Sequence, residues 1–463
     1  MAEDPQNRPD AEQGEQGRAE ARPASAGTTG QGGEVPASAG TTGSGRAGTT
    51  EQGAGTTGPP RRRWLRTFDA LEVPAYRNYF IAMLFYFGGM QAAMLARPLL
   101  AYDLADRAPI VLGIVIAANN APSLVLSPFA GALADRVSMR NILIVSAGLM
   151  AVFAGITAIG VAMDLLDWWH VMVIGIFQGS VMVFITPTRR AIIGGLVDER
   201  HLLNATGLHT MSQNANRTLL PLVAGVLFAR WGPEWAYVLI VGMYVVGMGL
   251  MFFTPAQGAG AARRRSRSSS PLEGFRYVWQ APPIRTLILA GFVITVFGQP
   301  FQHLLPLAQD LLQIEADGVG LLVTFYGLGS LFGSTTAASL GDFQRKGLLL
   351  IGFFTLFGAG VIAFAASTWY VLSLLLMLPI GVGHSGRTVV HLAALQSYSE
   401  NEMRGRVQAL NAMMGGLIPV AILGITGLAE LFGGRIALAS AGSVIVAYGV
   451  WETLFSRTLR SMR

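Results

Sequence analysis

"GALADRVSMR", residues 131–140, lies between two long apolar runs, at 110–133 and 141–163, and its reading decides the fold. It holds one Asp, two Arg and several small residues. A break that short can only turn the chain round, and the flanking runs are long enough to cross a bilayer, since a helix rising about 1.5 Å per residue spans the hydrocarbon core in about 20 residues. The pattern returns about 200 residues later as "ASLGDFQRKG" at 338–347, again a small residue, an Asp and then basic residues. At the same displacement "VDERHLLNATGL" (197–208) is echoed by "SENEMRGRVQAL" (399–410). Such repetition predicts two equivalent halves.

Working outward from this turn, twelve apolar runs are found, at 78–100, 110–133, 141–163, 169–188, 204–229, 235–254, 285–309, 318–340, 347–367, 370–393, 406–432 and 436–456. They are continuous and rich in Leu, Gly and Ala, which speaks against the short alternating segments of a barrel. The composition agrees: of 463 residues 52% are hydrophobic and 13% charged, against about 25% charged in soluble domains. The prediction is an all-α membrane protein with twelve transmembrane helices in two six-helix bundles.

The net charge of +6 does not point to nucleic acid, because the basic residues gather at alternate loops rather than on one soluble face. "RRRWLR" (61–66), Arg136 and Arg140, Arg189 with Arg190 and Arg200, "RRRSR" (263–267), Arg345 with Lys346, Arg404 with Arg406, and the closing "RTLRSMR" all fall on one side of a twelve-span topology. The other side holds few basic residues, chiefly Arg107, Arg230 and Arg435. By the positive-inside rule both termini of a multi-pass membrane protein are expected in the cytoplasm. The absence of cysteine excludes disulfides and thiolate metal sites.

Five segments follow. Residues 1–63 form a low-complexity tail that repeats "PASAGTTG" from Pro23 and Pro36; it is too poor in apolar residues to fold and reads as disordered and cytoplasmic. Residues 64–254 form the N-terminal bundle, 255–283 a cytoplasmic interdomain linker containing "ARRRSRSSSP", 284–456 the C-terminal bundle and 457–463 a cytoplasmic tail. Within the linker, "LEGFRYVWQ" (272–280) suits a short interfacial helix with Tyr277 and Trp279 at headgroup depth.

Gly131, Leu133, Ala134, Asp135, Arg136 and Arg140 match the G-x-L-A-D-R-x-x-R-R loop of the major facilitator superfamily, with Met139 in place of the first arginine of the final pair. "LLAYDLADRAPIVLGI", "TPTRRAIIGGLVDERHLLNATGL", "GPEWAYVL" and "RGRVQALNAM" resemble more narrowly the branch of enterobactin exporters and transmembrane secretion effectors. The resemblance covers residues 64–456 and implies a secondary transporter of the bacterial cell membrane, an exporter working by alternating access between its halves. Gly131, Asp135, Arg136 and Arg140, with Asp342 and Arg345 in the second half, would then be a conformational latch at the cytoplasmic side. Physically, Gly131 lets two helices approach and Asp135 can accept hydrogen bonds from a helix N-terminus or pair with Arg140; ordinary interfacial charge is the plainer alternative. The glycine-rich "GP" pattern of the family's antiporters is only partly kept, in "NRTLLPLVAG" (216–225).

Polar groups inside the runs mark the candidate substrate cavity: Gln91, Asn119, Asn120, Gln178, Gln213, Asn214, Arg217, Gln299, Gln302 and His303. Each amide could equally be helix packing glue, worth roughly 0.6–2 kcal/mol. Arg217 stands out, because a charge at mid-membrane costs on the order of 3 kcal/mol or more and faces a cavity or a partner. No Asp or Glu falls at that depth, so Arg217, Arg97 and His303 favour an anionic or neutral amphipathic substrate such as a siderophore, drug or natural product. Proton coupling has two candidates, Asp103 and His303. His384, Arg387 and His391, spaced by three and four, form one helical stripe; it reads either as a cytoplasmic vestibule or as an arginine snorkelling to headgroups.

An enzyme is not expected. "GHSGR" (383–387) lacks the last glycine of a nucleophile elbow and lies within a helical run, and no H-E-x-x-H metal motif occurs. No cofactor or metal is implied. The expected partners are a small-molecule substrate, the lipid bilayer and protons, with no nucleic acid, and the chain is expected to be a monomer. A lipid or lysolipid transporter and a transport-inactive receptor or scaffold are the remaining alternatives.

Overall fold

The computed structural model describes residues 65–127, 137–255, 271–340, 346–400 and 402–455. The described residues are helical apart from short turns and contain no strand. The N-terminal half comprises α1 (Pro74–Leu104), α2 (Pro109–Ser127), α3 (Met139–Ala162), α4 (Trp168–Leu196), α5 (Glu199–Trp231) and α6 (Pro233–Met251). The C-terminal half comprises α7 (Pro282–His303), α8 (Ala316–Ser339), α9 (Lys346–Ala366), α10 (Tyr370–Tyr398), α11 (Arg404–Phe432) and α12 (Gly434–Phe455). Ten helices among the described residues are long and apolar enough to cross a membrane. The other two long ones, α5 and α10, carry Arg217 and the His384, Arg387, His391 stripe, which lower their mean hydropathy.

Two boundaries differ from expectation. α4 continues past 188 to Leu196, so Arg189 is a helix residue rather than a loop charge. α7 does not run on to 309: the helix stops at His303, and a 3-10 turn at Leu305–Leu307 and a short helix at Ala308–Leu312 follow. Pro306 lacks the N–H that a continuing helix would need. Upstream of Pro300, Ile294–Gly298 is a π-helical turn, closed by the Gln299 N–H donating to the Ile294 carbonyl at 2.8 Å. Linker residues Pro271–Gln280 are helical, with Phe275 and Trp279 exposed and stacked, ring centroids 5.7 Å apart.

Within each half, tightly packed helices bury a continuous core, while Ile159, Phe177, Phe332, Val420 and Trp451 are among the large apolar side chains left facing outward. That outward apolar surface is the lipid-facing surface of a multi-pass protein. The halves meet along α5 with α8 and along α2 with α11. Glycines make these approaches possible, as expected where no hydrophobic force separates helix from lipid. Gly225 of α5 lies against the Ala316 carbonyl and Gly320, Gly327 against Thr218, and Gly113 of α2 against Thr426. The Thr324 hydroxyl donates across this seam to the Thr218 carbonyl at 3.0 Å.

All these contacts use the C-terminal part of α5, the first turns of α8, the start of α2 and the end of α11. The halves are therefore closed at the face away from the chain termini. Polar groups seal that face: the Tyr102 hydroxyl donates to Asp310, Arg107 pairs with Asp310 at 2.7 Å, and the Ile110 N–H donates to Glu430 at 3.2 Å. The Asp310 hydrogen bond holds Arg107 above the ordinary arginine range.

Of the expected latch, Gly131, Asp135, Arg136, Asp342 and Arg345 lie outside the described residues. Arg140 sits in the first turn of α3, 6.0 Å from the Phe252 ring centroid, with its Nε buried and making no hydrogen bond among the described residues.

Candidate functional site

Where the halves diverge, they enclose a cavity of about 320 Å³. Phe87, Met90, Gln91 and Met94 of α1 and Gln213, Asn214 and Arg217 of α5 form one wall. Gln299, Gln302 and His303 of α7, His384 of α10 and Ile418 of α11 form the other. Residues 299, 302 and 303 share a face by their helical spacing, and the π turn just before them sets the angle of that face. Such turns concentrate at functional sites because they re-aim side chains without breaking the helix.

One polar chain crosses the cavity from half to half. Arg217 donates to the Gln302 side-chain oxygen at 2.5 Å, with its guanidinium 5.9 Å from the Tyr326 ring centroid. The Gln302 amide donates to the Tyr326 hydroxyl and lies 3.2 Å from the His384 Nε2. His384 Nδ1 is in turn 3.4 Å from the Arg387 guanidinium. Arg217 is thus tied to the C-terminal half through neutral partners only.

A second cavity of about 240 Å³ lies within the N-terminal half, lined by Arg97, Asn119, Asn120, Gln178 and Tyr244 and reaching His303. Arg97 donates to the Gln178 side-chain oxygen. A third, of about 450 Å³, opens toward the termini along Arg189, Thr206, His209, Thr210 and Gln213. The Arg189 guanidinium stands 4.9 Å from the Phe87 ring centroid, and His209 meets the same ring edge-on. No carboxylate lines any of these three cavities among the described residues. Thr206, Thr210, Gln213 and Arg217 follow helical spacing on α5, so a single polar stripe runs from the open face to the centre.

The structure brings Gln91, Gln213, Asn214, Arg217, Gln299, Gln302 and His303 together in the central cavity, and Asn119, Asn120 and Gln178 in the adjoining one. The amides differ in use. Asn119 donates across to the Gly175 carbonyl of α4 and Asn120 to the Ile116 carbonyl of its own helix, each at 2.8 Å, so the Asn119 bond serves helix packing. Asn216 likewise donates to the Leu84 carbonyl at 3.0 Å. Asp103 is exposed at the far end of α1 and lines none of the three cavities.

The stripe on α10 lies inside the protein, with His384 at the central cavity. His384, Arg387 and His391 are all buried, at 8%, 6% and 8% exposure, so Arg387 does not snorkel to the surface. It is covered by Phe354, 5.9 Å away, and its Nε makes no hydrogen bond among the described residues. His391 pairs with Asn411 at 3.3 Å and packs on Gly291. The open mouth is lined instead by Arg189 and His209 of the N-terminal half. Sequence reasoning assigned Arg189 to a loop and had no signal for Tyr326 or Phe87, which look like core aromatics until packed.

The family described as transmembrane secretion effector matches residues 66–459. The enterobactin exporters EntS of Shigella boydii serotype 4 and of Escherichia coli O81 are each 22% identical over 415 residues, covering 87% of this chain and 97% of theirs. Among solved structures, a nucleoside transporter NupG superposes with a TM-score of 0.66 at 10% identity, over 82% of this chain and 100% of its own. A D-xylose-proton symporter gives 0.65 at 13% identity, over 84% and 99%. A bacterial homologue of the iron transporter ferroportin, in an inward-facing state, gives 0.61 at 15% identity, over 81% and 98%.

Proposed function

Since the chain belongs to the transmembrane secretion effector family and is a transporter of the major facilitator type, we propose that it exports small amphipathic anions by alternating access between its halves. The observation that carries this reading is Arg217. It is a membrane-embedded cation in a cavity that no carboxylate lines among the described residues, and the neutral amide of Gln302 holds it across the cavity. An acidic substrate arriving there forms a charge-assisted bond in place of a neutral one, roughly twice as strong.

By the positive-inside rule the face bearing the termini is cytoplasmic, so the described state is open to the cytoplasm. Substrate enters past Arg189 and His209 and follows the α5 stripe to Arg217. Its acid group displaces Gln302, which loosens the cross-cavity tie and lets the halves rock. The expected latch, of which Arg140 alone lies among the described residues, then closes that side, and the Asp310 and Glu430 contacts open the other. His303, shared by the central and adjoining cavities, is the group we assign to proton coupling in an antiport cycle; Asp103 is set apart from the pathway. Relatives named for enterobactin export place catecholate siderophores among the acidic compounds to try.

The test is flux in proteoliposomes of naphthalene-1-sulfonate, a permanently charged probe, against neutral naphthalene-1-sulfonamide, with and without a pH gradient. Anion-selective flux that responds to the gradient is expected. Equal flux of both probes, or none above empty liposomes, contradicts the reading.

A further inference from the structure

Arg97 is a second cation inside the membrane, with no ion pair among the described residues. It sits on α1 in the cavity of about 240 Å³ adjoining the central one, and it donates a hydrogen bond to the neutral side chain of Gln178. Tyr244 lines the same cavity, and the Tyr237 and Tyr244 hydroxyls interact with the guanidinium electrostatically. Both tyrosines are neutral donors or acceptors, and the Tyr237 oxygen is buried without a hydrogen bond among the described residues. A cation taken from water into such surroundings carries a desolvation cost that Gln178 and two phenols do not repay. A bound anion would repay it.

The two cationic cavities adjoin. Met90, Met94 and His303 line both the Arg97 cavity and the Arg217 cavity. The walls they share are apolar apart from His303, and among the described residues neither cavity is lined by a carboxylate. Two adjoining cavities, each holding a guanidinium and sharing apolar walls, suit an elongated molecule with an acidic group at each end and an apolar or aromatic middle. α1 supplies Arg97 and α5 supplies Arg217, so one ligand would bridge two helices of the N-terminal half and reach α7 through His303.

Resting on the anion-export reading, we infer that the preferred substrate is a two-headed anion whose acid groups occupy Arg97 and Arg217 together. Gln178 orients the first guanidinium and Gln302 the second. A monoanion fills only one end and leaves the other cation uncompensated.

Counterflow in proteoliposomes tests this with naphthalene-1-sulfonate, the 1,5- and 2,6-disulfonates, and neutral naphthalene-1-sulfonamide. The wild-type chain should show a KM for the better disulfonate at least about tenfold below that for the monosulfonate, the value of one added charge-assisted bond. Arg97→Gln should abolish the KM difference between disulfonate and monosulfonate, and Arg97→Lys should restore part of it. Arg217→Gln should raise the KM for both probes by roughly 10- to 150-fold. If neither disulfonate is preferred, or if Arg97→Gln depresses mono- and disulfonate flux alike, the two-headed proposal is overturned while anion export stands. If the wild-type chain moves no sulfonate at all, anion export falls and this inference with it.

Discussion

Replacing Gly225 by Ala isolates the contact between the halves. A Cβ there would lie 2.7 Å from the Ala316 carbonyl oxygen and 3.2 Å from the Gly320 Cα, both on α8. Ordinary carbon contacts begin at about 3.5 Å, and backbone atoms cannot rotate out of the way as a side-chain tip can. α5 and α8 must therefore move apart by several tenths of an ångström to about 1 Å. Overpacking of this kind costs about 1–3 kcal/mol, which is roughly 5- to 150-fold in an equilibrium. The nearest neighbours are all in the other half, so the cost falls on the closed arrangement and not on the folding of either bundle. A second state populated at about 0.1–10% should then gain roughly 5- to 150-fold relative to the closed one. The chain has no cysteine, so spin labels on Arg230→Cys and Glu315→Cys, exposed positions beside this seam, report the separation without background. The parent should give one short distance and Gly225→Ala an added longer one, with the thermal midpoint of each bundle unchanged. An unaltered distance distribution would refute the assignment of Gly225 to the closing contact.

Other perturbations follow from the same structure. Asp310→Asn removes the ion pair to Arg107 and weakens the Tyr102 bond; with side chains 51% and 38% exposed, the pair is worth at most about 1 kcal/mol, so the same label pair should show a shift of about fivefold or less toward the longer distance. Raising the pH to 9 should leave the Arg107 side of that pair intact, because its pKa lies above an already high value: a raised folded-state pKa gives stability that persists until pH passes it. Loss of the short distance between pH 7 and 9 would contradict this. Pro300→Ala restores a missing N–H and favours a regular helix through the π turn; it should raise or preserve thermal stability while lowering flux at least about tenfold, since Gln302 and His303 turn away from Arg217, and unchanged flux would show that the turn does not set the site.

The apolar runs made both halves and most spans legible, because a bilayer imposes length and composition on every crossing helix. What failed was anything depending on rotation or on a partner. Arg189 beside Arg190 looks like a helix end, yet α4 carries Arg189 onto a cavity wall. The depth of His384, Arg387 and His391 along α10 could be counted at about 1.5 Å per residue, but not that Phe354 of α9 covers Arg387. The polar residues on α1, α5 and α7 were legible as candidates, since charge and amides are costly in lipid. Which amides are packing glue was not, because the Asn119 bond to the Gly175 carbonyl exists only once α2 meets α4. Tyr326 carries no periodic signal at all and becomes part of the site only through Gln302.

The measurement that bears most directly on the central claim is sulfonate counterflow by Arg217→Gln and Arg217→Lys beside the parent, in proteoliposomes with matched protein content. Loss of a bond to a charged group, about 1.5–3 kcal/mol, should raise KM by roughly 10- to 150-fold in Arg217→Gln. Arg217→Lys should retain part of the flux, and neutral sulfonamide leak should be unchanged in all three. Parent-like flux and KM in Arg217→Gln would mean that the cation in the central cavity does not bind the transported anion.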